Sequence, residues 1–298
     1  MSKTIVAPLD GSRLAERALP YAALLAQRLT ARVHLVRATQ AAVHEARVTV
    51  LHEARAYLER TASELAAQGV EVTSEAVYGD AATHLAQVAR QQSALMLIMA
   101  THGRSGFSHA ALGSVAEAVL RHAPAPVWLI GPRVPAPPLI INEPAPRIVV
   151  PLDGSSFAEE ALVVAAELGT VFGAELILVG AVLPAEPDPT GATGDVAAYL
   201  ATELAEREDS ARAYLRRVAC ACPVEIPRLR LEVRVGEPAA VIQAVCEDTG
   251  ATFVVMATHG RTGLLRLVLG SVATAVLRTS TVPVLAVRPG VRRPSAEG

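Results

Sequence analysis

Two aspartates and two glycine-serine pairs recur at matched places in this 298-residue chain, and they are residue types that can hold a phosphorylated ligand. Ile5-Val6-Ala7-Pro8-Leu9-Asp10-Gly11-Ser12 returns as Ile148-Val149-Val150-Pro151-Leu152-Asp153-Gly154-Ser155. Ala100-Thr101-His102-Gly103-Arg104 returns as Ala257-Thr258-His259-Gly260-Arg261, and nine residues then lead from each glycine to Gly113-Ser114 or Gly270-Ser271. A glycine lets an anion approach the backbone, and Gly-Ser at a helix start offers main-chain N–H groups and a hydroxyl to it. The pattern is a phosphate cradle that lacks the lysine of a Walker loop.

Each feature also has a plain structural alternative. Asp-Gly is a common turn pair, and serine is a good N-cap. His102 and His259 have no nucleophile at a recognisable spacing, so a structural or loop-orienting role is expected of them rather than general-base chemistry. His44 and His52 are expected on the solvated face of a helix. The first glycine loop carries His109 where the second has Arg266. If these side chains face phosphates, the second site holds a polyanion more tightly and the first gains affinity as pH falls through about 6.5.

The elements that must position these residues follow from the repeat. Asp153 lies 143 positions after Asp10, whereas Gly260 and Gly270 lie 157 after Gly103 and Gly113, so the second copy carries 14 extra residues (157 − 143). Ala54-Arg55-Ala56-Tyr57-Leu58 already matches Ala211-Arg212-Ala213-Tyr214-Leu215 at 157, which puts the insertion near 183–195, a Pro-, Gly-, Thr- and Asp-rich loop. The expected organisation is a domain over 1–132, a Pro-rich linker over 133–146 and a second domain over 147–290.

Within the first copy, strands are expected at 4–9, 33–38, 70–77, 95–100 and 127–130, and helices at 12–29, 41–68, 81–91 and 113–122. Continuous apolar runs such as Ala94-Leu95-Met96-Leu97-Ile98-Met99-Ala100 are those of parallel strands covered on both faces. The fold class is therefore α/β: two tandem, doubly wound, five-stranded parallel sheets of Rossmann-like type. Pro20 conflicts with a continuous first helix and should kink it or delay its start, while the second copy has Val163 there and Ser156-x-x-Glu159 reads as a capping box. In such sheets a ligand sits at the carboxyl ends of the strands, where the repeated signals fall.

Composition sets limits. A chain that is 51% hydrophobic with net charge −2 can build a core and gives no support to nucleic-acid binding. No apolar leader is visible and the run 161–183 is interrupted by Glu167 and Glu175, so a membrane span is rejected and a cytoplasmic location is expected. Cys220-x-Cys222 lacks a second ligand pair, and with Cys246 reads as reduced thiols.

Taken together, Pro-Leu-Asp-Gly-Ser followed by Ala-Thr-His-Gly-Arg, nine residues and Gly-Ser resembles the universal stress protein family in its ATP-binding branch, as a tandem member. The resemblance implies an adenine nucleotide alpha hydrolase-like fold. It places Pro8, Asp10 and Ala38 on the adenine side, with Pro151, Asp153 and Ala181 in the second copy. It places Ala100, Gly103, Gly113, Ser114 and Val115, with Ala257, Gly260, Gly270, Ser271 and Val272, on the ribose and phosphates, beside Arg104 and Arg261. Both copies carry alanine at the family's first glycine; alanine leaves room but resists φ > 0, so a left-handed backbone there would weaken both sites.

The implied ligand is ATP, with Mg2+ as its companion, and the implied role is regulatory nucleotide binding in a stress response. No metal-ligating set or placed catalytic base is evident, so at most slow ATP hydrolysis is expected. The resemblance also implies pairing of the two last strands within the chain, with homodimerisation as a further level. Two rivals remain: an interaction module of the same fold that binds no nucleotide, and a weak ATPase.

Overall fold

The computed structural model describes residues 3–40, 47–102, 112–135, 146–184, 196–260 and 269–290. The first repeat runs β1 (Lys3–Pro8), α1 (Arg13–Glu16), α2 (Leu19–Leu29), β2 (Ala31–Thr39), α3 (Arg47–Ala66), β3 (Val72–Tyr78), α4 (Ala81–Gln91), β4 (Met96–Ala100), α5 (Ser114–His122) and β5 (Val127–Ile130). The second runs β6 (Arg147–Pro151), α6 (Ser156–Phe172), β7 (Glu175–Val182), α7 (Val196–Ala221), β8 (Leu229–Val235), α8 (Pro238–Thr249), β9 (Phe253–Ala257), α9 (Ser271–Thr279) and β10 (Val284–Val287).

Strand residues alternate between the two sides of the sheet, and both sides are apolar. Met96 and Ile98 join Tyr21, Leu25 and Leu58 in one layer. Leu97 and Met99 join Leu85, Val119 and Leu120 in the other. A strand buried on both faces needs no polar alternation, which is why β4 reads Met-Leu-Ile-Met-Ala. The α/β expectation, with five parallel strands per repeat, is borne out.

The strands form one ten-stranded sheet in the order β3-β2-β1-β4-β5-β10-β9-β6-β7-β8. β5 and β10 meet antiparallel, with Trp128 opposite Leu285, and the other neighbours are parallel. Trp128 is 1% exposed and its ring centroid lies 4.7 Å from that of Phe253 in the other repeat, whose ring Phe172 meets edge-on at 6.3 Å. Strand order reverses beside β1 and again beside β6, which opens a crevice at the carboxyl ends on each side.

Local chemistry explains where the elements depart from expectation. Pro20 splits the first helix: α1 stops after one turn and α2 starts with the proline in its opening positions, where its missing N–H costs nothing. Val163 imposes no such break, so α6 is continuous over 17 residues. Its N-cap is Ser155, whose Oγ accepts from the Ala158 N–H at 3.2 Å; the Ser156–Glu159 capping box does not form, and Glu159 instead accepts from the Tyr214 hydroxyl at 3.3 Å.

The segment that opens the Pro-rich linker is docked. Val134 is 1% exposed, Arg17 donates to the carbonyls of Pro132 and Val134, and the Tyr21 hydroxyl donates to that of Pro135 at 3.3 Å. The rest of the linker, residues 185–195 of the insertion expected near 183–195, and His44 lie outside the described residues, while His52 is exposed on α3. Among the described residues no helix is long and apolar enough to cross a membrane, and all three cysteines are free.

Candidate functional site

Each crevice is built from three short pieces, beginning with the turn after the first strand. Asp10 Oδ1 accepts from the Ser12 N–H at 2.9 Å, and Ser12 Oγ caps α1 by accepting from the Ala15 N–H at 3.1 Å. The second copy repeats both bonds at 3.0 and 3.2 Å and adds a Ser155 hydroxyl donated to Asp153 Oδ1 at 2.6 Å. Gly11 and Gly154 allow this turn, with φ of +84° and +88°. The turn-forming role of the two aspartates is thus real, and it fixes where each carboxylate stands.

The second piece is the end of the fourth strand. Ala100 pairs with Ile130 and Ala257 with Val287, so each alanine is an extended strand residue. Neither is among the residues with positive φ, and the left-handed backbone that alanine would resist is not needed here. Thr101 and Thr258 follow, each 1% exposed. Their hydroxyls lie 2.9 Å from Nδ1 of His102 and His259, which ties each imidazole to the end of its strand. Burial and the nearby Arg288 guanidinium hold His259 below the usual imidazole range.

The third piece is the start of the following helix. Gly113 donates to the Thr101 carbonyl at 2.9 Å, and Gly270 to the Thr258 carbonyl at 2.9 Å. A Cβ on Gly113 would stand 2.8 Å from that carbonyl oxygen, and one on Gly270 3.4 Å from its counterpart, so the glycines let the helix approach the strand end. Both are N-caps that supply no side-chain cap to α5 or α9. The two helices therefore present first-turn N–H groups and the positive end of the helix dipole to the crevice, an arrangement suited to an anion.

These pieces converge. The first crevice is a cleft of about 590 Å³ that brings together Pro8, Asp10, Ala38, Ala100, Gly113, Ser114 and Val115. The second, of about 250 Å³, brings together Pro151, Asp153, Ala181, Ala257, Gly260, Gly270, Ser271 and Val272. Gly260 sits so close to the aspartate that a Cβ would fall 2.5 Å from Asp153 Oδ2. Gly103, Arg104, His109, Arg261 and Arg266 lie outside the described residues, and so does the charge asymmetry of the two glycine loops.

Three groups in the first cleft escaped the sequence reading. Arg37 comes from β2, Glu53 from α3, and Asp80 is the N-cap of α4, its Oδ2 accepting from the Thr83 N–H at 2.8 Å. Hydrogen bonding from the Thr83 side chain, and then from its N–H, holds the Asp80 carboxyl below its usual range. The available signal was the position 143 residues beyond Arg37, which is Gly180: a cation present in one copy and absent from the other.

Comparison with known proteins agrees with the resemblance drawn from the motifs. The model of the universal stress protein family matches residues 1–131 and again 145–288. A universal stress protein of Mycobacterium tuberculosis is 31% identical over 219 residues, covering 73% of this chain and 69% of that protein. One from Methanocaldococcus jannaschii is 35% identical over 144 residues, covering 48% of this chain and 81% of its own length. The crystal structure of a universal stress protein from Archaeoglobus fulgidus shares the fold, with a TM-score of 0.71 over 97% of this chain and all of that one at 22% identity. The chain belongs to the universal stress protein family, as a tandem of two family domains.

Proposed function

We propose that the chain binds an adenine nucleotide, ATP foremost, at the carboxyl ends of each half-sheet and acts as a regulatory stress-response protein with little or no turnover. One observation carries this reading: the same constellation is built twice from separate sequence. A turn-held aspartate, an extended alanine, a buried threonine and a glycine-capped helix start converge in both clefts. A plain helix start needs no aspartate opposite it, whereas a nucleotide needs a base end and a phosphate end.

The residues fit such a ligand. Gly113 and Gly270 leave the first-turn N–H groups of α5 and α9 without a side-chain cap, which suits a phosphate, and Pro8, Ala38, Pro151 and Ala181 line the same clefts as an apolar wall for the base. Among the described residues no group of three or more His, Cys, Asp or Glu side chains is arranged so that it could hold a metal ion. A magnesium ion would accordingly be held mainly by the phosphates. Ligand binding would act by stabilising the cleft-lining segments and the β5–β10 junction. A cytoplasmic location and a homodimer of tandem chains complete the proposal.

The test is to denature freshly purified protein, identify any released nucleotide by chromatography, and titrate the stripped protein with ATP. Retained adenine nucleotide, or saturable ATP binding, supports the proposal. An empty protein that ignores ATP favours the interaction module.

A further inference from the structure

Each copy stacks an arginine of its long helix on a tyrosine, Arg60 on Tyr57 at 5.5 Å and Arg217 on Tyr214 at 5.3 Å, but only the first copy adds a second arginine from its strand. Arg37 of β2 lines the first cleft, and its guanidinium carbon lies 4.7 Å from the centroid of the Tyr57 ring. Gly11 backs it, since a Cβ there would come within 3.0 Å of Nη2. The Tyr57 hydroxyl donates to Glu16 at 2.9 Å, which locks the ring in place. The second copy keeps Tyr214 on Glu159 and the turn at Gly154, with Gly180 where the cation would start.

A guanidinium pinned against a ring surrenders little further freedom when it binds a ligand, and it presents paired donors in a fixed plane. None of the ion pairs among the described residues involves Arg37. Three carboxylates, Asp10, Glu53 and Asp80, line the same cleft and would repel an anionic ligand that met no cation. β2 stands one strand beyond β1 and two from β4, so Arg37 lies roughly 10 Å across the sheet from the strand that leads to α5. It is placed at the base end of the cleft, away from the helix start that suits phosphate.

The geometry points to Arg37 as an affinity-determining residue of the first cleft that donates to ring acceptor atoms of the bound base. This deepens the nucleotide-binding reading and rests on it. A charged hydrogen bond of this kind is worth about tenfold or more in affinity. The first atom of a side chain is tolerated at the matching place, since a Cβ on Gly180 meets no atom nearer than 3.6 Å.

The experiment is calorimetric titration of the stripped full chain with ATP, AMP and inorganic tripolyphosphate, for wild type, Arg37→Gly and Gly180→Arg. Arg37→Gly should weaken one class of ATP and AMP sites about tenfold and leave tripolyphosphate binding unchanged; Gly180→Arg should strengthen the other class. ATP titrations unchanged in both variants, or an equal loss for tripolyphosphate, would overturn the inference while leaving nucleotide binding intact. A wild-type chain that binds none of the three overturns the nucleotide reading and this inference with it.

Discussion

The cradle glycines differ in how much the fold itself needs them. At Gly113 an added methyl would press to 2.8 Å on the Thr101 carbonyl oxygen, which is backbone and cannot swing aside; at Gly270 the corresponding gap is 3.4 Å. Gly113→Ala should therefore cost about 1–3 kcal/mol as an overpacking change, and Gly270→Ala much less. Urea unfolding of the two variants checks this, and equal losses would contradict it. A second residue-scale prediction concerns His34, which is 5% exposed in β2 and has Nδ1 2.7 Å from the Thr73 hydroxyl. Its Nε2 has no hydrogen-bond partner and stands 3.9 Å from Glu75. Burial holds it below 6.5; Glu75 opposes that effect and Arg32 adds to it. The unfolded chain takes this proton first as pH falls, so the stabilising contribution is complete above about pH 6.5 and declines below it toward the lower folded value. His259 contributes with the same sign. His34→Ile, which copies Ile177 of the second repeat, should shrink the drop in unfolding free energy between about pH 7.5 and about pH 5.5.

At the scale of elements, helix starts decide how each cleft is framed. Ser155→Ala removes the cap of α6 and should cost about 1 kcal/mol, whereas Ser156→Ala should be nearly neutral; thermal melts of both variants separate the two serines. The sequence misplaced that cap by one residue because Ser155 and Ser156 are both competent, and only the Asp153 turn settles which one faces the helix end. The strands and most helices were legible from apolar runs, and the span 81–91 matches α4 without adjustment. Pro20 announced a break, and its form is one short turn followed by a new helix with the proline in its opening positions. The repeated motifs led to most of the cleft residues. Arg37 was not legible from a motif, because a cation in a strand carries none; only the glycine at the matching position, Gly180, set it apart, and its stacking partner is a ring twenty residues away.

On the scale of the whole molecule, the repeats join through one antiparallel strand pair and the aromatic packing across it. Phe253 touches Trp128 of the other repeat and Phe172 of its own, and Arg288 donates to the Arg121 carbonyl at the end of α5. Phe253→Ala should destabilise the chain by about 3–5 kcal/mol and shift the emission of Trp128, the only tryptophan, toward that of an exposed indole. If the halves unfold as one unit, far-UV dichroism and Trp128 fluorescence give coincident urea transitions in the wild type. A nucleotide bound as proposed in either cleft would then stabilise the entire sheet.

The most direct measurement of the central claim is the amount of nucleotide bound per chain, counted by chromatography after denaturing the purified protein and by ATP titration of the stripped protein. Adenine nucleotide at one or two equivalents per chain is the predicted result. A chain that releases none and shows neither heat nor thermal stabilisation with ATP would contradict the account and leave a paired fold that serves as an interaction module.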